Sequence, residues 1–124
     1  MASIKLLPRK EFEIILDDNS IIKGQFGTWS LKRFCDKQKL SLGQLQEKKP
    51  TDYTIGDIAD LILCAVEQKA RQDKAPFSFS DVECCSWFDE LGGIFSAQVT
   101  ELFNHQSSEV LTTEPDKDEK KTEG

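Results

Sequence analysis

Few residues in this chain could carry catalysis, and the first to consider is its single histidine, His105. His105 stands at the predicted end of the last helix, beside a polar C-terminal segment. General acid–base and nucleophilic mechanisms need a base that is held in position. Because a residue at a fraying helix end is poorly held, we expect a solvent-exposed histidine and no catalytic residue.

Four cysteines are the next candidates for chemistry: Cys35, Cys64, Cys84 and Cys85. No two of them have the C-x-x-C spacing, whereas structural zinc sites bring ligands in pairs a few residues apart. Cys35 and Cys64 fall among apolar helical positions, where a free cysteine behaves as a small hydrophobic residue. We therefore predict four reduced thiols, at least two of them buried, in a reducing compartment, and no metal site.

Two acidic clusters have a superficial likeness to calcium loops, at residues 17–19 and 116–119. Neither has the internal glycine and the terminal glutamate of an EF-hand loop. The first is predicted to be a hairpin turn and the second part of a solvated tail. Since the glycines fall at turns and helix ends rather than in a phosphate-binding loop, we predict no cofactor.

Aromatic residues are the remaining feature, with two tryptophans and eight phenylalanines. One helix cannot direct the adjacent Trp87 and Phe88 into the same core. Either one of them is partly exposed, or the helix is covered from two sides. Exposed aromatic patches are typical of protein-binding surfaces. Trp87, Phe88, Phe95 and Phe103 are therefore the candidate partner-binding residues.

The element that must position these residues is a central helix, predicted over residues 54–72. Thr54 can cap its amino end, with Asp57 completing a T-x-x-D capping box. Apolar residues recur at helical spacing along one face, and Leu61 and Leu63 widen that face. The apolar positions on the face are Ile55, Ile58, Ala59, Ile62, Ala65 and Val66. We expect the rest of the domain to pack against this helix.

An N-terminal β-hairpin is predicted before the helices, after a short polar lead. Residues 12–16 form its first strand, residues 17–20 its turn and residues 21–26 its return strand. Phe12, Ile14 and Leu16 share one face, opposite Ile22 and Phe26. An isolated hairpin is marginally stable in water, so this one must lie on helices of its own chain or on another chain.

Three further helices complete the predicted domain. The first begins at a Thr28 cap and is followed by a short helical turn over residues 41–46. The central helix is the second in chain order. The third helix starts at a Ser80–Glu83 capping box and ends at Gly92 and Gly93, and the fourth covers residues 95–105. The predicted fold class is thus mainly α: a domain of about four helices after a β-hairpin, spanning residues 1–105. Residues 106–124 are predicted to be a disordered charged tail.

Length and charge limit the function classes. A chain of 124 residues has room for one modest core. Its net charge of −6 provides no electrostatic footprint for nucleic acid or anionic lipid. No apolar run approaches the roughly 18 residues of a membrane span, and no signal peptide is visible. A cytoplasmic protein with a protein partner is the expectation.

Two alternatives stay open from the residues alone. Residues 28–45 have a likeness to a helix-turn-helix, which would suit a small regulatory or nucleic-acid-binding adaptor. The acidic balance and the lack of a basic second helix argue against that reading. The other alternative is an enzyme subunit whose chemistry lies on another chain.

The order of elements resembles a known family. The phrases that carry the resemblance are FEIILDDNSIIKGQF, TWSLKRFCDKQKLSLGQL, ADLILCAVEQKAR and FSFSDVECCSWFDELGG. Over residues 11–105 the chain is similar to the tail assembly chaperones of long-tailed double-stranded DNA bacteriophages and related gene transfer agents. The resemblance rests on this order and on phrases such as the S-L-x-x-L turn and the D-V-x-x-x-x-W-x-D-E-x-G ending.

The resemblance implies a non-enzymatic protein without cofactors. Such a protein binds the tape-measure protein, keeps it soluble and helps recruit tail-tube subunits. It acts in the host bacterial cytoplasm and is absent from the mature virion. In many of these phages a ribosomal frameshift also makes a longer form, which would be a further partner for this chain.

Overall fold

An antiparallel sheet opens the structure. The computed structural model describes the backbone of residues 2–112 and the side chains of residues 2–105. Strands β1 (Ser3–Leu6), β2 (Glu11–Ile15) and β3 (Ile21–Gln25) lie in the order β1-β2-β3. The predicted hairpin is confirmed as β2 and β3, with Ile14 paired to Ile22. Its apolar residues Phe12, Ile14, Ile22 and Phe26 are buried.

Strand β1 is an addition that the sequence pattern did not predict. It occupies part of the segment expected to be a polar lead, and its Ile4 pairs with Ile14 of β2. Four residues of mixed polarity are too short to show a strand period. Only the neighbouring strand, which arrives from later in the chain, makes this segment a strand.

Helix α3 (Ile55–Gln72) is the central element, as predicted. The Asp57 backbone N–H donates to Thr54 Oγ1 (3.0 Å), and the Thr54 backbone N–H donates to an Asp57 carboxylate oxygen (3.1 Å), which confirms the capping box. Every residue from 61 to 68 is buried. This burial all round arises because α3 packs against β3 and two other helices.

The other helices are α1 (Thr28–Gln38), α2 (Leu42–Glu47), α4 (Asp81–Glu90) and α5 (Ala97–Thr112). The predicted Ser80–Glu83 capping box of α4 is present. The predicted cap of α1 was wrong: Gly27 is the N-cap and Thr28 is the first helical residue. The Gly27 position is packed against α3, since a Cβ atom there would lie 2.7 Å from the Gln68 amide nitrogen.

The fold is therefore mainly α with an N-terminal antiparallel sheet, in agreement with the predicted class. Helix α5 begins at Ala97 rather than at Phe95 and continues to Thr112. The segment predicted as a tail thus overlaps α5 over residues 106–112, and its remainder, residues 113–124, lies outside the described residues. No described helix combines the length and the apolar character that crossing a membrane requires.

Candidate partner-binding groove

Trp87 and Phe88, the first two candidate partner-binding residues, are both buried. Trp87 is 4% exposed and Phe88 is 2% exposed. The Trp87 ring meets the Phe79 ring edge to face at 5.1 Å, and Phe79 in turn contacts Phe77 at 5.8 Å. Because the chain between α3 and α4 covers one side of α4, the alternative of a helix covered from two sides is the correct one. Both residues belong to the core and not to an accessible surface.

Phe95, by contrast, projects into solvent and is 93% exposed. Gly92 and Gly93 end α4 with φ of 105° and 99°, a backbone conformation that favours glycine. The Gly93 N–H donates to the Phe88 carbonyl (2.8 Å), and the Ser96 N–H donates to the Gly93 carbonyl (3.0 Å). This turn holds Phe95 on the outside, one residue before Ser96, whose Oγ accepts the Val99 N–H at 3.2 Å.

An apolar groove of about 470 Å³ lies beside Phe95. It runs between the 3-10 turn at Pro50–Asp52, the first turns of α3 and the first half of α5. We call it the Phe95 groove and define it by its apolar lining residues: Tyr53, Ile55, Ile58, Ile94, Phe95, Val99 and Phe103.

The base and rim of the Phe95 groove differ in burial. Val99 and Phe103 are buried, whereas Ile55 is 53% exposed and Phe95 is almost fully exposed. Phe103, the fourth candidate residue, therefore forms part of the base. The groove thus presents two large apolar side chains to solvent above a packed apolar surface, which is the composition of the centre of a protein interface.

Tyr53 connects the base of the groove to the core. Its ring meets Phe103 edge to face at 5.0 Å and stacks on Phe34 at 6.2 Å. The Lys48 ammonium group lies 4.8 Å from the centre of the Tyr53 ring and 3.2 Å from the Asp57 carboxylate. Burial and, secondarily, the Asp57 charge raise the pKa of Tyr53, so its phenol is neutral at physiological pH. These contacts hold the base of the groove in place without a partner.

His105 was predicted to be solvent-exposed, and that prediction was wrong. The residue is half-buried, with Nε2 3.1 Å from the Leu7 carbonyl oxygen and 3.0 Å from the Glu11 carbonyl oxygen. Its ring also meets Phe26 edge to face at 6.5 Å. Since α5 continues beyond His105, the residue lies within a helix and attaches α5 to the connection between β1 and β2.

The four cysteines are free thiols, and two are buried, as predicted. Burial raises the pKa of Cys64 to about 11 and raises that of Cys84 still further. Cys35 and Cys85 are half-buried, and burial raises the pKa of Cys35 as well. A raised pKa leaves little thiolate, which is the nucleophilic form. Among the described residues no three histidine, cysteine or acidic side chains are grouped so that they could hold a metal ion.

Sequence reasoning missed the residues that α3 contributes to the groove. Ile55 was assigned to the buried face of α3, but it lies in the first turn, before the neighbouring elements begin to cover the helix. The signal for Phe95 was local: this large aromatic residue lies in the short connection between the glycines that end α4 and the Ser96 cap of α5. Which residues surround it depends on how α3 and α5 pack, and this does not show in the sequence.

No protein-family model, curated protein or solved structure matches the chain.

Proposed function

We propose that this protein is a non-enzymatic tail assembly chaperone of a long-tailed double-stranded DNA phage. It binds the tape-measure protein, keeps that protein soluble and helps recruit tail-tube subunits around it. It acts in the host bacterial cytoplasm and does not remain in the mature virion. The proposal combines the resemblance in element order over residues 11–105 with a surface suited to binding a helical partner.

The observation that carries the proposal is the Phe95 groove. A tape-measure protein is a long helical protein whose apolar stripes would aggregate if left uncovered. Amphipathic helices bind by laying their apolar face into a hydrophobic groove. The Phe95 groove offers an apolar base, with the exposed Phe95 and Ile55 on its rim to contact such a helix. The net charge of −6 favours solubility of the resulting complex.

Co-expression with the tape-measure protein tests the proposal. The native chain should move the tape-measure protein from the insoluble to the soluble fraction, and the two should co-purify. Phe95→Ser and Ile55→Ser each remove an exposed apolar side chain, so each should weaken binding without lowering the melting temperature. The expected loss is about 2 kcal/mol for the aromatic residue, as is common for interface anchors.

Val82→Ser is the matched control. Val82 is 74% exposed on α4, outside the Phe95 groove, so its replacement removes a comparable apolar side chain from a different surface. It should leave solubilisation of the tape-measure protein unchanged. If the native chain fails to solubilise that partner, the chaperone function is wrong. If all three variants solubilise it equally well, the function can stand but the Phe95 groove is not the binding surface.

A further inference from the structure

The two edges of the sheet differ in what covers them. At the β1 edge, the Ile4 N–H donates to the Gln98 side-chain oxygen of α5 (3.0 Å), and α5 packs along this strand. Strand β3 forms the opposite edge of the sheet. An uncovered edge strand presents a row of backbone donors and acceptors that a further strand can use.

The hydrogen-bond pattern shows which groups of β3 face outward. The Leu16 N–H donates to the Ser20 carbonyl (2.9 Å), and the Phe26 N–H donates to the Lys10 carbonyl (3.1 Å). Hydrogen-bonded and non-hydrogen-bonded pairs alternate along an antiparallel ladder. The backbone groups of Ile21, Lys23 and Gln25 therefore point away from β2. Within residues 2–105 no hydrogen bond ends on these outward backbone groups.

The side chains of β3 alternate between the two faces of the sheet. Ile22 and Gly24 are buried against the helical side, while Ile21 is 51% exposed and Lys23 is exposed. A groove of about 180 Å³ runs beside β3 and is lined by Ile22, Val66, Ala70, Ala75 and Phe79, among others. A cavity of about 150 Å³ can hold a benzene molecule. The groove beside β3 therefore has room for one side chain of roughly phenyl size.

The positive charge of Lys23 favours an acidic neighbour at this edge. Lys23 has no ion-pair partner within residues 2–105, whereas Lys69 in the same groove pairs with Glu11 (3.7 Å) and Asp73 (3.8 Å). On the inner side, Glu13 of β2 lies directly opposite Lys23. A carboxylate opposite Lys23 on the outer side would complete a favourable cross-strand pair.

A second copy of this chain suits the edge less well. Antiparallel pairing of two β3 strands centred on Lys23 places the two lysines opposite each other, which is unfavourable. Two chains that each carry a net charge of −6 also repel each other. Lysine on an edge strand is a common means of preventing such self-pairing.

We propose that the β3 edge binds an extended segment of a partner protein, which adds a fourth strand to the sheet. The segment carries an acidic residue opposite Lys23 and, at the adjacent position, an apolar residue that enters the groove beside β3. The site is separate from the Phe95 groove, and the proposal does not depend on the function assigned to that groove.

A displayed library of random eight-residue peptides, selected against the immobilised full chain, tests this site. The selected peptides should carry aspartate or glutamate next to an apolar residue. In the isolated chain the amides of Ile21, Lys23 and Gln25 should exchange rapidly with solvent deuterium. Adding a selected peptide should protect these amides, because it pairs with their N–H groups.

Two variants of one residue separate backbone pairing from charge. Lys23→Pro removes an outward N–H that the β2–β3 ladder does not use, and proline is tolerated at such edge positions. It should weaken peptide binding about tenfold or more with little change in melting temperature, since main-chain bonds supply affinity in strand addition. Lys23→Glu keeps the N–H and should shift the selected peptides from acidic to basic residues.

Several outcomes would overturn the proposal. One is that no peptide is enriched. Another is that both Lys23 variants bind the selected peptides as strongly as the native chain does. Slow exchange of the three outward amides in the isolated chain would mean that the edge is already covered by the chain itself. If sedimentation experiments show a dimer that Lys23→Pro abolishes, the β3 edge binds a second copy of this chain and not a partner segment.

Discussion

Side chains of one chemical type have very different positions in this protein. Trp87 and Phe88 lie in the core, Phe103 forms part of the base of a groove, and Phe95 stands in solvent. The sequence identified these four as candidates because they are large aromatic residues, and Trp87 and Phe88 also because they are adjacent. Burial separates them into core residues, which determine stability, and an exposed residue available to a partner.

Substitution by alanine should reveal this division. Trp87→Ala and Phe88→Ala should each lower the free energy of unfolding by about 3–5 kcal/mol, because each leaves a cavity in packed surroundings. Phe95→Ala should change it by less than about 0.5 kcal/mol, as is usual for exposed sites. Denaturant unfolding of the three variants measures the difference. A large loss for Phe95→Ala would show that this ring packs against the protein in solution.

The thiols allow a second prediction at this scale. With a thiol reagent at neutral pH, the half-buried Cys35 and Cys85 should react before Cys64 and Cys84. The pKa of Cys64 is raised to about 11 and that of Cys84 is higher still, and both side chains are shielded from the reagent. Mass spectrometry over time can follow each site. Cys64 and Cys84 should become reactive only when denaturant unfolds the chain.

At the scale of single elements, local sequence signals set the helix starts. Ser41, Thr54 and Ser80 each accept the backbone N–H three residues later. The strands depend more on their neighbours. Gly24 of β3 is directly opposite Phe12 of β2, and a Cβ atom at Gly24 would lie 2.2 Å from the Phe12 ring. Glycine here lets the aromatic ring lie across the adjacent strand.

Gly24→Ala should therefore destabilise the sheet. The Phe12 ring is buried and has little room to move, so the added methyl group should cost about 1–3 kcal/mol, the usual range for overpacking. The same substitution in a Phe12→Leu background should cost less, because the smaller side chain leaves space. A double-mutant cycle measured by thermal unfolding gives this coupling. Equal costs in both backgrounds would show that Phe12 is not the obstacle.

The capping box of α3 predicts a pH dependence. Burial of Asp57 by itself raises its pKa. Hydrogen bonds from the Thr54 backbone and from Lys48, together with the Lys48 charge, outweigh the effect of burial, so the pKa of Asp57 lies below 3.8. A lowered pKa means that the folded state binds this proton less tightly than the unfolded state. The stabilising effect is thus fully present above about pH 4 and is lost as the pH falls through the lowered pKa.

Asp57→Asn tests this dependence against the native chain. The native chain should be more stable than the variant at neutral pH, by about 0.3–1 kcal/mol, the usual effect of a negative charge in the first turn of a helix. The difference should disappear in acid, where Asp57 becomes protonated. Urea unfolding at several pH values measures it. A stability difference that stays constant down to the most acidic pH would contradict the assignment.

At the scale of the whole molecule, α3 is the element that joins the others. It contacts β3, α1 and α4 and is buried on all sides through residues 61–68. Ile62 is fully buried near its middle. Ile62→Ala should lower the free energy of unfolding by about 2–5 kcal/mol, measured in denaturant. A loss below about 1 kcal/mol would show that the core is able to collapse around the gap.

The sequence by itself determined the elements whose signals are local. The β2–β3 hairpin follows from alternating apolar residues around a turn of Asp, Asn and Ser, and the start of α3 follows from Thr54 and Asp57. These features depend on residues a few positions apart. Each segment therefore favours its structure before the rest of the chain packs against it. The central position of α3 was predictable for the same reason, since its apolar residues cover more than one face of the helix.

Only the tertiary structure decided the features that depend on distant contacts. Strand β1 exists because β2 pairs with it, and His105 is held because the connection between β1 and β2 lies beside α5. The Phe95 groove forms where the start of α3 meets α5, so its members come from segments more than thirty residues apart. Burial depends on what packs against a side chain, and the spacing of residues along one element does not contain that information.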